Sequence, residues 1–344
     1  MPAFLSRVAP FAEEAPDSAT SVNSLPWQNR APWSFAELFH YHYASLRTAL
    51  DGSAGPGYVV TVIHHEDRLL GHGCVTLGDP EASHTIIVGR HERSDIRLGD
   101  PQVALRHLVL RITLGPDRRP MVRVIDLHTG HGFVVEGVGA CSSVRTDGDL
   151  AIRVGSYTLM FLPLPLDGRP WPETPEEALA SRPRPVLRDC RLMPETLVAA
   201  GEPSLTVLPG ASLLGAACAE PRAGDVVATL TVVGPHGETV HRLTAAQLDS
   251  GVLVGRYPRC DVDGRGFAHA EALSRVHLLL LADGGDVVAV DVASTNGILI
   301  NKLETRVGHL AAQCTIELGS GNVAHWRLTE AWQRRTPPVD RKLN

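Results

Sequence analysis

The sequence predicts a mainly β protein in two domains, and three observations carry that prediction. Short β-branched runs recur between turn residues from Tyr58 onward. The two halves of the chain repeat each other motif by motif. Helical periodicity is confined to one stretch near the N-terminus. Many short strands at regular spacing indicate an all-β sandwich or barrel. A chain of 344 residues is long for one small domain and suits two.

Residues 1–33 are rich in Ala, Pro, Ser and acids, without periodicity, and read as a flexible tail holding Trp27 and Trp33. Over 34–51 the pattern is helical. Ser34-Phe35-Ala36-Glu37 forms a capping box, in which each side chain satisfies the other's backbone N–H. Phe35, Phe39, His42, Leu46 and Leu50 follow on one face, and Gly52 with Gly55-Pro56-Gly57 ends the helix. The plain reading is a helix lying on the first domain; the sharper one is a partner-binding helix on a flexible arm.

The first β domain is expected over 56–165. Its strands run through Val59–Ile63, Ile86–Val88, Leu108–Ile112 and Val122–Ile125, with turns at Gly78-Asp79-Pro80, Gly99-Asp100-Pro101 and Gly115-Pro116-Asp117. Residues 166–222 read as a linker. Its first part is dense in proline, which opposes regular structure and stiffens the chain. Residues 186–222, of modest apolar content, are expected to pack on a domain without forming one. The second β domain is expected over 223–332, with strands through Val226–Val233, Thr239–Leu243, Leu278–Leu281, Val287–Val290, Ile298–Ile300, Thr315–Leu318 and Val323–Leu328. A polar tail, 333–344, closes the chain.

The repeat aligns Gly89-Arg90 with Gly255-Arg256, Ser94-Asp95-Ile96 with Cys260-Asp261-Val262, His107 with His277, Asp126 with Asp291, and Gly132 with Gly297. Spacing changes fall between strands, where insertions are tolerated. The second copy has the longer loop, Asp263–Leu273, and the first the longer hairpin, around Leu114–Met121.

In the second copy three polar clusters sit where strands give way to loops: Gly255-Arg256, Ser274-Arg275-Val276-His277 and Ser294-Thr295-Asn296-Gly297, closing on Asn301. Arg256 offers a planar fork of donors suited to two phosphate oxygens. Ser274 can turn a hydroxyl toward a third oxygen, and Arg275 can add charge or a backbone N–H. Asn296 can donate to one backbone group of an extended peptide and accept from another. Gly297 frees the backbone for a tight turn. Alone, Gly-Arg is usually a solvated turn and Ser-Thr-Asn-Gly a hairpin turn. The joint order and spacing lift them above that.

That pattern resembles the forkhead-associated (FHA) domain, a phosphothreonine-binding β-sandwich. The resemblance covers about a third of the chain at its C-terminal end, with a weaker copy upstream. It implies two FHA-like antiparallel sandwiches joined by the Pro-rich linker, with one short N-terminal helix. It further implies that Arg256, Ser274 and Arg275 contact phosphate, Thr295 supports the pocket and Asn296 holds the peptide main chain. Gly255, His277, Gly297 and Asn301 would support the site, His277 bracing loops rather than touching ligand. The first copy keeps Arg90 and His107 but carries Ala104, Leu105 and His131 where the serine, the arginine and the asparagine stand. It therefore reads as a degenerate, structural or phosphate-independent interaction domain.

The function expected is a phosphothreonine-dependent protein-binding adaptor acting through the second domain. The resemblance suggests bacterial Ser/Thr-kinase signalling or secretion-system regulation. The competing reading is a structural assembly protein whose sandwiches work independently of phosphate. Arg334-Arg335-Thr336-Pro337-Pro338-Val339 suits a kinase that favours basic residues, so phosphorylated Thr336, or Thr174 in the linker, could serve as the protein's own ligand.

A net charge of −6 argues against nucleic acid as main partner, and aromatics at 5% argue against single-strand stacking. The six cysteines lie scattered at 74, 141, 190, 218, 260 and 314, without a CxxC pair. This disfavours structural zinc and suits a reducing cytoplasm. Cys260, aligned with Ser94, reads as a small packed residue. No signal peptide, membrane span, metal motif or cofactor motif is expected, and no enzyme signature such as Gly-x-Ser-x-Gly or a P-loop is present.

Overall fold

The structure, a computed structural model, describes residues 33–50, 53, 55–64, 68–79, 82–115, 117–166, 171–182, 185–193, 225–235 and 237–333. Residues 1–32 and 334–344 of the expected tails, Trp27 and Thr336 among them, and residues 194–224 lie outside the described residues. Two compact units are present. The first comprises the described residues up to Met193 except 106–109 and 127–130, which group with the second.

In the first unit, α1 spans Phe35–Leu50. Its capping box is formed: the Ser34 N–H donates to the Glu37 carboxylate at 2.7 Å, and the Glu37 N–H donates to the Ser34 hydroxyl at 3.3 Å. The face carrying Leu38, Phe39, His42, Tyr43, Leu46 and Leu50 is buried. Most of it packs with Val59 and Ile63 of β1 (Gly57–His64) and with Met160 and Leu162 of β10 (Tyr157–Pro163). The helix thus lies on the first domain, as its plain reading expected. Each such side chain, fully buried, contributes roughly 1.5–3 kcal/mol.

Between β1 and β10 run β2 (Arg68–Thr76), β3 (His84–Gly89), β4 (Ile96–Arg97), β5 (Leu108–Leu114), β6 (Pro120–Asp126), β7 (Phe133–Val135), β8 (Gly139–Thr146) and β9 (Leu150–Val154). They form one continuous sheet in the order β2-β1-β10-β9-β7-β8-β6-β5-β3-β4. It is continuous because β8 pairs with β7 near Cys141 and with β6 from Ser143 to Thr146. Only β3–β4 is parallel among the pairings described.

The described residues of 171–185, read as proline-stiffened linker, fold onto this first unit instead, and 186–193, expected to pack on a domain, do so here. Trp171 is buried against Phe39 and Tyr43. Thr174 caps α2 (Pro175–Ser181), its hydroxyl accepting the Glu177 N–H. Proline opposes a helix interior but is favoured at the first helical position, where its missing N–H has no partner to lose. The Tyr43 hydroxyl donates to the Pro172 carbonyl at 2.6 Å, and Arg182 forms a bidentate pair with Asp149 beneath Trp171. The chain then adds β11 (Arg188–Leu192) to β8. Ser143 pairs with Ile125 on one side and Arg191 on the other, so β11 covers the edge that β6 leaves free.

The second unit has two packed sheets. One runs β13 (Gly237–Thr244), β12 (Val226–Gly234), β21 (Val323–Leu328), β20 (Gln313–Leu318), β17 (Ile298–Ile300), β18 (Leu303–Thr305). The other runs β14 (Val252–Val254), β15 (Leu278–Asp283), β16 (Asp286–Asp291), β19 (Val307–His309). Leu230, Val232, Ile316 and Trp326 from the first meet Val252, Val254, Leu278 and Leu280 from the second in one core. A short helix, α3 (Ala245–Ser250), joins β13 to β14; its signal is the capping box between Thr244 and Gln247. A last turn, α4 (Glu330–Gln333), follows β21.

Candidate functional site

The first cluster leaves β14. Gly255 is required by close approach: a Cβ there would lie 2.5 Å from the Arg275 carbonyl oxygen. That approach lets the Arg256 N–H donate to the Ser274 carbonyl at 3.0 Å and the Tyr257 N–H to the Arg275 carbonyl at 3.0 Å. Arg256 is thereby laid beside Ser274-Arg275. Both arginine side chains are exposed. Arg256 borders an open cleft of about 330 Å³ with Pro258, Asp263, Gly264, Arg265 and Ala270. Neither guanidinium has a hydrogen-bonding or ionic partner among the described residues.

Ser274 is buried and joins the second cluster to the third. Its hydroxyl accepts the Thr295 N–H at 2.9 Å and lies 3.4 Å from the Thr295 hydroxyl. The hydroxyl proton is directed at the Thr295 hydroxyl oxygen across that longer contact. Its backbone N–H donates to Nδ1 of His277 at 3.1 Å, and Nε2 of His277 lies 2.9 Å from the Gly297 carbonyl. A ring nitrogen that accepts carries no proton, so Nδ1 is bare and Nε2–H donates. Burial pushes His277 below the ordinary histidine range, while the Gly297 hydrogen bond opposes that shift. The ring bridges two loops through these two hydrogen bonds.

In the third cluster, the Ser294 N–H donates to the Asp291 carboxylate, and the Ser294 hydroxyl accepts the Gly297 N–H at 2.9 Å. Gly297 has φ +71°, the left-handed region. Thr295 and Asn296 are exposed at the loop tip. The Asn296 amide donates to the Ala272 carbonyl at 2.8 Å. This ties it to the long loop 263–273 through one of its two amide N–H groups. That long loop is ordered by Phe267 and Leu273, both buried in the core, and by Asn322, which exchanges two hydrogen bonds with the His269 backbone. Asp263 accepts from Arg265, which holds its carboxyl below the usual range.

Arg256, Ser274, Arg275, Thr295, Asn296, Gly255, His277 and Gly297 thus converge on one loop end. Asn301 stands apart. It begins the turn from β17 to β18, with positive φ at both Asn301 and Lys302, and its carboxamide oxygen accepts the Thr315 N–H at 3.0 Å. It sets a hairpin, with no contact to the other clusters.

Sequence reasoning did not single out Asp261 and Ser294 as structural parts of the site. The Asp261 carboxylate accepts the Leu253 N–H at 2.7 Å, and in the first unit the Asp95 carboxylate accepts the Ile87 N–H at the same distance. Their signal was the repeat itself, which aligns the two aspartates. Cys260 is buried, its thiol donating to the Arg275 carbonyl, and burial pushes it up to about 12. It packs, as its alignment with Ser94 suggested.

The first copy keeps this skeleton. The Arg90 N–H donates to the Ala104 carbonyl and the His91 N–H to the Leu105 carbonyl. His128 and Gly132 have positive φ, as do Ala293 and Gly297. Its side chains differ: the Arg90 Nε donates to its own unit's Val103 carbonyl at 3.2 Å. Ala104 offers no hydroxyl, Leu105 no cation.

The FHA domain family model matches residues 86–155 and 252–319. The chain carries two FHA domains. Three solved structures illustrate the similarity. The first FHA domain of Mycobacterium tuberculosis Rv1747 is 26% identical, over 30% of this chain and 99% of that one, with a TM-score of 0.24. Mycobacterium tuberculosis EmbR, solved with a low-affinity phosphopeptide, is 18% identical over 29% of this chain and 24% of that one, with a TM-score of 0.25. The FHA domain of Chlamydia trachomatis CT664 is 20% identical over 31% of this chain and 96% of that one, at 0.25. No curated protein matches. Among the described residues, no group of three or more His, Cys, Asp or Glu side chains is placed to hold a metal ion, and no helix is long and apolar enough to cross a membrane.

Proposed function

We propose that the chain is a phosphothreonine-dependent, non-enzymatic adaptor whose second FHA domain, 223–332, takes the phosphopeptide. The observation that carries this is the exposed, unpartnered Arg256 beside the Ser274 hydroxyl, with Arg275 next in sequence and Asn296 across the loop end. Arg256 and Arg275 supply charge, and Arg256 and Ser274 supply directed donors for phosphate. Asn296 retains an N–H and a carbonyl for the peptide main chain, while Thr295 and the His277 brace hold the loops. Each charge-assisted hydrogen bond contributes about 1.5–3 kcal/mol, so two or three exceed the ordering of a short peptide. Gly255 and Gly297 shape the backbone around the site.

The first domain, 56–165, is assigned a phosphate-independent role, because Arg90 is engaged by Val103 and neither hydroxyl nor second cation accompanies it. A cytoplasmic setting under a bacterial Ser/Thr kinase, in signalling or secretion control, suits such an adaptor. Self-recognition favours Thr336 over Thr174. Thr174 caps α2, so presenting it as an extended ligand requires that helix to unwind.

The test is binding of the full chain to matched threonine and phosphothreonine peptide libraries. Selective capture of phosphorylated members is expected. Equal capture of both would instead support assembly through phosphate-independent sandwiches.

A further inference from the structure

We propose that Cys141 and Cys190 form a reversible disulfide that fastens the segment 188–193 to the first FHA domain in response to peroxide. The two thiols lie on adjacent antiparallel strands, Cys141 on β8 and Cys190 on β11, with sulfurs 3.5 Å apart. A disulfide needs about 2.05 Å between sulfurs, so closure asks for roughly 1.5 Å of movement. The place to absorb it is built in. The β8–β11 register shifts across Cys190, between Arg188 and Arg191, and again between Arg191 and Leu192, and Asp189 adopts φ +49°. Cys190 sits in an irregular, half-buried strand that can adjust, while Cys141 is fully buried in a regular one.

The chemistry divides between the two sulfurs. Contact with the Cys141 thiol holds Cys190 down to about 7, whereas the same contact and burial push Cys141 up. Cys190 is the more accessible and more readily ionised sulfur, so it attacks. Its thiolate displaces hydroxide from hydrogen peroxide and becomes a sulfenic acid; the hydroxide takes a proton to give water. The Cys141 sulfur then attacks the sulfenic sulfur, forming the S–S bond and releasing a second water. Two thiols are oxidised by two electrons and the peroxide is reduced by two. A dithiol returns the pair to its starting state.

The consequence is local. The Met193 N–H donates to the Ala140 carbonyl, and Met193 lies against Gly132, where a Cβ would fall 3.0 Å from the methionine Cγ. Cys141 also pairs directly with Phe133 on β7. Closing the disulfide would therefore fix the segment against residues 131–133, the first domain's counterpart of the Asn296-Gly297 turn.

The experiment uses the full chain, titrated with hydrogen peroxide, alkylated, digested and read by mass spectrometry. The expected product links the Cys141 and Cys190 peptides with loss of two hydrogens and disappears with dithiothreitol. The Cys190→Ser chain should keep Cys141 as a free thiol under the same treatment. Amide hydrogen exchange of 188–193 and 131–135 should slow several-fold on oxidation of the wild type and stay unchanged in Cys190→Ser. The proposal is overturned if Cys190 ends as sulfinic acid while Cys141 stays free. It is equally overturned if Cys190 is no more reactive than Cys74, which is also half-buried but has no cysteine neighbour among the described residues.

Discussion

The hydroxyl of Ser274 accepts the backbone N–H of Thr295 at 2.9 Å, so the serine expected to meet phosphate also locks two loops together. Removing it strands a shielded N–H as well as deleting a ligand donor. Ser274→Ala should destabilise the second domain by about 1–3 kcal/mol, the usual cost of an unsatisfied buried group. Denaturant unfolding checks this, and an unchanged midpoint would show that water replaces the serine.

Arg256 and Arg90 occupy equivalent positions with different surroundings. Arg256→Ala should lower phosphopeptide affinity by at least about tenfold, the effect of losing one charge-assisted bond. Arg90→Ala should leave affinity nearly unchanged, because its guanidinium already serves Val103. Calorimetry on the full chain distinguishes the two, and the reverse ranking would move the site to the first domain.

Phosphothreonine should be preferred over phosphoserine. The FHA resemblance implies a niche for the threonine methyl, and one buried methyl is worth about 0.8 kcal/mol, roughly fourfold in affinity. Peptides differing only by that methyl provide the measurement, with equal affinities counting against the niche.

His277 makes stability depend on pH. Its folded pKa is lowered, so the unfolded chain binds the proton more readily. The contribution is fully present above the unfolded value of about 6.5 and declines as pH falls below it. His241, also lowered by burial, acts in the same direction. Stability of the second domain should fall between pH 7 and pH 5, with a shallower slope in His277→Gln. Parallel slopes would mean that His277 is not the group that titrates.

Gly255 and Gly297 should respond differently to alanine. At Gly297 a Cβ has room, with its nearest contact 3.8 Å away at Glu304, and only the positive φ opposes it. Gly297→Ala should cost about 1–2 kcal/mol. At Gly255 the new Cβ meets backbone at 2.5 Å, so the loop segments at 255 and 275 must separate. Gly255→Ala should be the more destabilising and should also weaken phosphopeptide binding, since it displaces Arg256. Thermal unfolding of both variants ranks them.

By itself, the sequence determined the β class, the two-fold repeat, the capping box at Ser34 and the identity of the converging side chains. Each of these is written in local spacing: alternation, turn residues, or a motif a few residues long. Asp261 was visible as an aligned residue, but its acceptance of the Leu253 N–H was not, because that bond spans a loop. The proline-rich stretch after 165 misled for a related reason. Proline density describes what a segment does alone. Here Trp171 finds Phe39 and Tyr43, Pro175 falls at a helix start, and Arg188–Leu192 finds an open strand edge. Those partners lie far away in sequence, so only the folded chain could bring them together. The Cys141–Cys190 approach and the neutral state of His277 were decided the same way, by burial and by neighbours that tertiary packing supplies.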